Sequence, residues 1–266
     1  MSRPPPAPVR GVPAVRIEAG RAHACDDEVA GEEAVALVYN GVTHAVMLAT
    51  PADLEDFALG FSLGEGIVDD ARDLDLVEIR PLEDGISVQM AIPGRCFERL
   101  QQRRRALPGL SGCGLCGAEA LADVVRLPAA VAAPAVSPAA ISAAMAALQA
   151  AQPLNARCHG LHAVALADAG GTLRLVREDV GRHNALDKLA GAIVRAGLEA
   201  RGGFVVATSR ASYEMVRKTA MAGIGLLATI SAPTSLAVTL AQRAGLTLVA
   251  FARGDAMTVY AGRLRV

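Results

Sequence analysis

The stretch Gly203–Phe251, GFVVATSRASYEMVRKTAMAGIGLLATISAPTSLAVTLAQRAGLTLVAF, decides the fold. Three short apolar runs, Gly203–Ala207, Leu226–Ile230 and Leu246–Phe251, are separated by Tyr213–Gly223 and Thr234–Ala244, which carry helical apolar spacing. Short apolar strands alternating with amphipathic helices are the pattern of parallel βαβ units. Right-handed crossovers place such helices across the faces of one sheet. Working upstream, Leu161–Ala167 and Thr172–Arg177 read as a hairpin around Gly170-Gly171, followed by a helix over Asn184–Ala200. The expected class is α/β, a mixed sheet with helices on its faces.

The N-terminal half reads differently. Ala34–Tyr39 and Val42–Leu48 flank Asn40-Gly41, and Asn-Gly between two β-type runs is a strong hairpin signal because both turn positions need φ > 0. Thr50-Pro51 opens a helix to about Glu65, with Leu54, Phe57, Ala58 and Phe61 on one face. Two strands near 76–80 and 86–92 and a basic helix from Arg95 to about Leu107 follow. A short helix is expected from Ala118 to about Val125, beyond the cysteine pair described below. The expected organisation is a flexible Pro-rich lead-in over 1–30 and a smaller α+β part over 31–126. A Pro/Ala link over 127–138 then leads to a C-terminal α/β part over 139–266, opening on an Ala-rich helix that ends near Gln152.

Composition removes several classes of function. Hydrophobic residues make up 52% and charged residues 20%, so a large core is available and general disorder is excluded. A formal charge of −1 implies no general grip on nucleic acid. No apolar run reaches the roughly 18 residues of a membrane span, and the start lacks the apolar core of a signal peptide. Five cysteines without such a signal point to a reducing cytoplasm. Cys25, Cys96 and Cys158 read as incidental thiols.

Ligands of open α/β sheets collect outside the carboxyl ends of the strands. There the sequence places Thr208-Ser209-Arg210, Ser231–Ser235, Ala252-Arg253-Gly254-Asp255 and Glu178–Asn184, which includes Arg182 and His183. Ser, Thr and Asp before helices are ordinary N-caps. Four such tips in succession, three of them with an arginine, go further and suit a phosphate or pyrophosphate.

Ser111–Gly117, SGCGLCG, carries Cys113 and Cys116 at CxxC spacing. A structural zinc site needs four ligands, and only one such pair is present. No H-x-E accompanies it, which disfavours zinc-deaminase chemistry. A dithiol at a helix start is a second reading. The third is a carrier, one thiolate holding sulfur as a persulfide on a glycine-rich arm.

LVYNG (Leu37–Gly41), FALGFSLGEGI (Phe57–Ile67), SGCGLCG, EDVGRHNALDKL (Glu178–Leu189), SRASYEMVRKTAMAG (Ser209–Gly223), SAPTSLAV (Ser231–Val238) and LVAFARGDAMTVY (Leu248–Tyr260) together resemble the FdhD family. These are formate dehydrogenase accessory proteins that act as sulfur carriers. The resemblance runs in order from about residue 34 to 262. It implies a fold related to cytidine deaminases, a homodimer, and a persulfide on Cys113 with Cys116 assisting. It implies a cysteine desulfurase as donor, formate dehydrogenase as recipient, and the molybdenum cofactor as bound substrate in its bis(molybdopterin guanine dinucleotide) form. No tightly bound metal of the protein's own is implied. The family's cofactor-binding segment corresponds to Phe251, Ala252, Arg253, Gly254, Asp255 and Ala256. Ala250 stands where Gly is usual and Ala256 where a basic residue is frequent. Ser209, Arg210 and His183 complete the candidate crevice.

Overall fold

The computed structural model describes residues 5–105 and 128–265, and its centre is a six-stranded mixed sheet in the order β12-β11-β10-β9-β7-β8. Strands β9 (Phe204–Ala207), β10 (Leu226–Thr229) and β11 (Thr247–Arg253) are parallel, with Leu227 opposite both Val205 and Leu248. Strand β7 (His162–Ala167) runs antiparallel to β9 and to β8 (Leu173–Asp179). β8 therefore points the same way as the three parallel strands.

Alternation sorts the sheet's side chains into two cores, as the strand period of two requires. Val205, Ala207, Leu227 and Leu248 face helices α5 (Arg182–Arg195), α6 (Tyr213–Met221) and α7 (Ser235–Ala244). Phe204, Val206, Leu226 and Val249 face α3 (Pro138–Ala150) on the other side. Ser212 and Thr234 cap α6 and α7 by accepting the N–H groups of Met215 and Ala237.

The N-terminal unit has its own sheet, order β4-β3-β6-β5, and its own core. Asn40 and Gly41 take φ 48 and φ 79 between β3 (Glu33–Tyr39) and β4 (Val42–Ala49), as the hairpin reading requires. Strands β5 (Asp75–Leu82) and β6 (Gly85–Ala91) complete the sheet. Helices α1 (Leu54–Gly64) and α2 (Gly94–Arg105) bury Phe57, Phe61, Cys96 and Leu100 against it. α1 also lies on α5 at a crossing made by Gly60 and Gly191. A Cβ on Gly60 would stand 1.8 Å from the Asp187 carbonyl oxygen, and one on Gly191 would stand 2.0 Å from that of Asp56. The two units are thus joined through backbone-to-backbone contact.

Three expectations are corrected. The lead-in is not flexible throughout: β1 (Val9–Glu18) and β2 (Arg21–Ala30) form a hairpin, turned by Ala19 and Gly20 at positive φ. Arg10 pairs with Glu33, and Arg157 with Glu28, at its base. The Pro-rich composition hid alternating strand positions that pair only with each other. The second correction concerns the last of the parallel strands, which was expected to end at Phe251. β11 continues to Arg253 and turns at Gly254, φ 55, into antiparallel β12 (Ala256–Ala261). Third, the helix expected over 184–200 starts at Arg182 and stops at Arg195, closed by Gly197 at φ 61. Residues 128–137 contain no helix or strand but pack tightly: Val136 is fully buried, and Val131 N–H donates to the Ala244 carbonyl.

Candidate functional site

Because β8 shares the direction of β9, β10 and β11, the ends of all four strands reach one edge of the sheet. The four tips singled out from sequence therefore do converge. Backbone hydrogen bonds tie them together. Ala211 N–H donates to the Ala232 carbonyl and Thr234 N–H to that of Ala211, while Phe251 N–H reaches the Ser231 carbonyl. Arg253 Nε donates to the Ile230 carbonyl at 2.9 Å, folding that guanidinium along the rim.

His183 stands at the start of α5, whose N-cap, Gly181, offers no side-chain cap. One ring nitrogen, Nε2, lies 3.2 Å from Ser212 Oγ. Burial, then Arg182, Lys218, His162 and Arg217, push the imidazole down to about 4, so it is neutral at pH 7. Burial and Arg182 also lower His162, which sits on the same edge at the start of β7. Arg182 is itself lowered by burial and by the like charge of Arg210. Among the described residues neither arginine is paired with a carboxylate, and Arg182 Nε is buried without a hydrogen-bond partner. Cations without a carboxylate partner among the described residues, beside an uncapped helix start, are the arrangement expected of a candidate anion site.

Ser209 is buried and Arg210 exposed on the β9 tip. Phe251 is 40% exposed and takes φ 53, a conformation costing a non-glycine residue about 1–3 kcal/mol. The register shift between Ala250 and Arg253 produces that turn and aims the ring outward, 6.5 Å from Tyr260. Ala252 is buried, whereas Arg253, Gly254, Asp255 and Ala256 are exposed. Cys113 and Cys116 lie outside the described residues, as do residues 106 and 107 at the end of the expected basic helix and the helix expected after the cysteines.

Sequence reasoning missed the buried charges behind this edge. Lys188 and Asp179 are both fully buried and 2.7 Å apart. Lys218 Nζ meets both Asp187 carboxylate oxygens at 2.8 Å and Glu65 at 3.1 Å, and lies over the Phe61 ring. Burial pushes Asp187 up to about 6, against the pull of Lys218. Burial opposes ionisation of Glu65 too, but Lys218 and Arg217 hold it down to about 2. The available signal was the pair Asp187-Lys188 between Leu186 and Leu189: α5 is buried on nearly every side, so its charges require partners.

The layered mixed sheet, with Arg182, Arg210 and Arg253 along its carboxyl edge, defines an α/β protein with a candidate anion site there. The chain belongs to the FdhD/NarQ family, whose sequence profile matches residues 30–266. The sulfur carrier protein FdhD of Cupriavidus necator is 58% identical over 236 residues, covering 88% of this chain and 82% of that one. The protein of the same name from Xanthomonas campestris pv. campestris strain B100 is 52% identical over 265 residues, 98% of this chain and 94% of that one. A crystal structure from Desulfotalea psychrophila, assigned as a formate dehydrogenase accessory protein, matches with TM-score 0.74 at 28% identity. It covers 97% of this chain and 99% of its own.

Proposed function

We propose that this protein is a sulfur carrier for the molybdenum cofactor of formate dehydrogenase. The Cys113 thiolate attacks the outer sulfur of a cysteine desulfurase persulfide. A new S–S bond forms on Cys113, and the desulfurase thiolate leaves. The cofactor, as bis(molybdopterin guanine dinucleotide), is the acceptor substrate and occupies the crevice. Arg182, Arg210 and Arg253 take its pyrophosphates, neutral His183 offers a ring N–H, and the exposed Phe251 ring presents an apolar face to a guanine base. Release of the sulfur as sulfide needs two electrons. Attack by Cys116 on the inner sulfur of the persulfide supplies them, expelling hydrosulfide and leaving a Cys113–Cys116 disulfide that a dithiol reductant reopens.

The observation that carries this reading is the Arg182–Arg210 rim, without a carboxylate partner among the described residues, in a chain whose relatives are named sulfur carriers. Cys113→Ala should fold normally, take up no sulfur adduct of about 32 Da from a loaded desulfurase, and fail to activate formate dehydrogenase. Full activation by that variant would remove Cys113 from the carrier role. Wild-type protein that binds the cofactor but never gains the adduct would instead be a cofactor-holding chaperone.

A further inference from the structure

Beneath the crevice, two segments far apart in sequence are knotted together by polar groups. Thr50, immediately after β4, is fully buried. Its N–H donates to Asp179 Oδ2 at 3.0 Å, its Oγ1 accepts the Val180 N–H at 3.1 Å, and its carbonyl accepts Lys188 Nζ at 2.9 Å. Asp179 Oδ1 accepts the Gly181 N–H at 2.7 Å and Asn184 Nδ2 at 3.1 Å. Asn184 Nδ2 also reaches the Leu48 carbonyl at 2.8 Å. Lys188 completes the set through its ion pair with Asp179 and a 3.5 Å contact to the Glu178 carbonyl.

Burying this many polar groups has a reason beyond stability, because an apolar set of the same volume would join the two units as firmly. The bonds end on the backbone of Val180 and Gly181, the residues directly before Arg182 and His183. Those two carry the crevice's first cation and its imidazole, and Arg182 is repelled by Arg210. A free turn would let the two arginines separate. We propose that Thr50, Asp179 and Lys188 are positioning residues, through which the N-terminal unit holds the 180–183 turn so that Arg182 and His183 face the ligand of the crevice. This inference rests on the crevice being an anion site.

The test uses the full chain and GDP as the probe. Thr50→Val removes the acceptor for Val180 N–H while keeping side-chain volume, and Thr50→Ser keeps the hydroxyl. Thr50→Val should bind GDP about five- to tenfold more weakly by calorimetry. It should speed amide exchange at Val180 and Gly181 without changing exchange in β9–β11, and Thr50→Ser should restore both readouts. Binding within about twofold of wild type, or unchanged exchange at Val180 and Gly181, overturns the inference. Wild-type protein that does not bind GDP removes the crevice reading instead, and selective exchange then decides the positioning role alone. Should Thr50→Val fail to fold, Asn184→Ala, which cuts the tie to the Leu48 carbonyl, takes its place: weaker GDP binding with faster exchange at Val180 and Gly181 supports the inference, and no change in either overturns it.

Discussion

His183 shows how one side chain's chemistry is set by its surroundings rather than by its type. A histidine ordinarily titrates near 6.5, yet here burial and four neighbouring cations and rings hold it at about 4. Between those values the unfolded chain binds the proton that the folded chain refuses. The stability that neutral His183 contributes therefore falls as pH drops from about 6.5 to about 4, with a slope of up to about 1.4 kcal/mol per pH unit. Asp187, raised to about 6, contributes with the opposite sign. Denaturant titrations of wild type and His183→Asn across that window should differ by the histidine's slope. Bound GDP places negative charge beside Arg182 and should move the imidazole's NMR titration upward; an unmoved titration would separate His183 from the ligand. At this scale much was legible. The tips bearing Ser209, Arg210 and His183 could be picked out because turn and cap residues announce strand ends. That the charge of Arg210 acts on Arg182 was not legible, since nothing local joins a β8 tip to a β9 tip.

Elements are held by how closely backbones approach. The α1–α5 crossing leaves no room for a β-carbon at Gly60 or Gly191. Gly191→Ala should cost about 3 kcal/mol through overpacking, despite alanine's better helix propensity, read as a lower urea midpoint. A neutral or stabilising result would mean that the helices can part. The β1–β2 hairpin is the opposite case. Val15 is 64% and Ile17 72% exposed, and every residue from 15 to 24 is exposed. Two strands alone are marginal in water, so amides in 14–25 should exchange far faster than those of β9–β11 in hydrogen-exchange mass spectrometry. Equal protection would show that the hairpin is covered in solution. The strands of the six-stranded sheet were readable from their apolar runs; this hairpin was not, because its residues are mostly solvated and its burial alternates only over the Pro-containing first half of β1.

For the whole molecule, the decisive contacts are those between the two units. Asp56 on α1 is nearly buried and accepts Arg177 Nη2 and Arg195 Nη1, both at 2.7 Å, from β8 and α5. Removing its charge leaves Arg177, largely covered, with only the longer 3.7 Å pairing to the more exposed Asp53. Asp56→Asn should destabilise by about 2–3 kcal/mol while keeping one cooperative unfolding transition. Two separated transitions would show that the units fold independently, contrary to a joint formed by Gly60, Gly191, Asp56 and Thr50. The sequence alone determined the strand–helix alternation from residue 203 onward, the Asn40-Gly41 turn, the Ser212 and Thr234 caps and the CxxC pair. Each depends on a period or a turn whose physics is complete within a few residues. Tertiary structure alone decided the direction of β8, the partners of Asp179, Lys188 and Lys218, and the rim of arginines without a carboxylate partner among the described residues. Those depend on desolvation and on groups that only folding brings together, Thr50 lying 129 residues from Asp179 and 138 from Lys188, which no local pattern encodes.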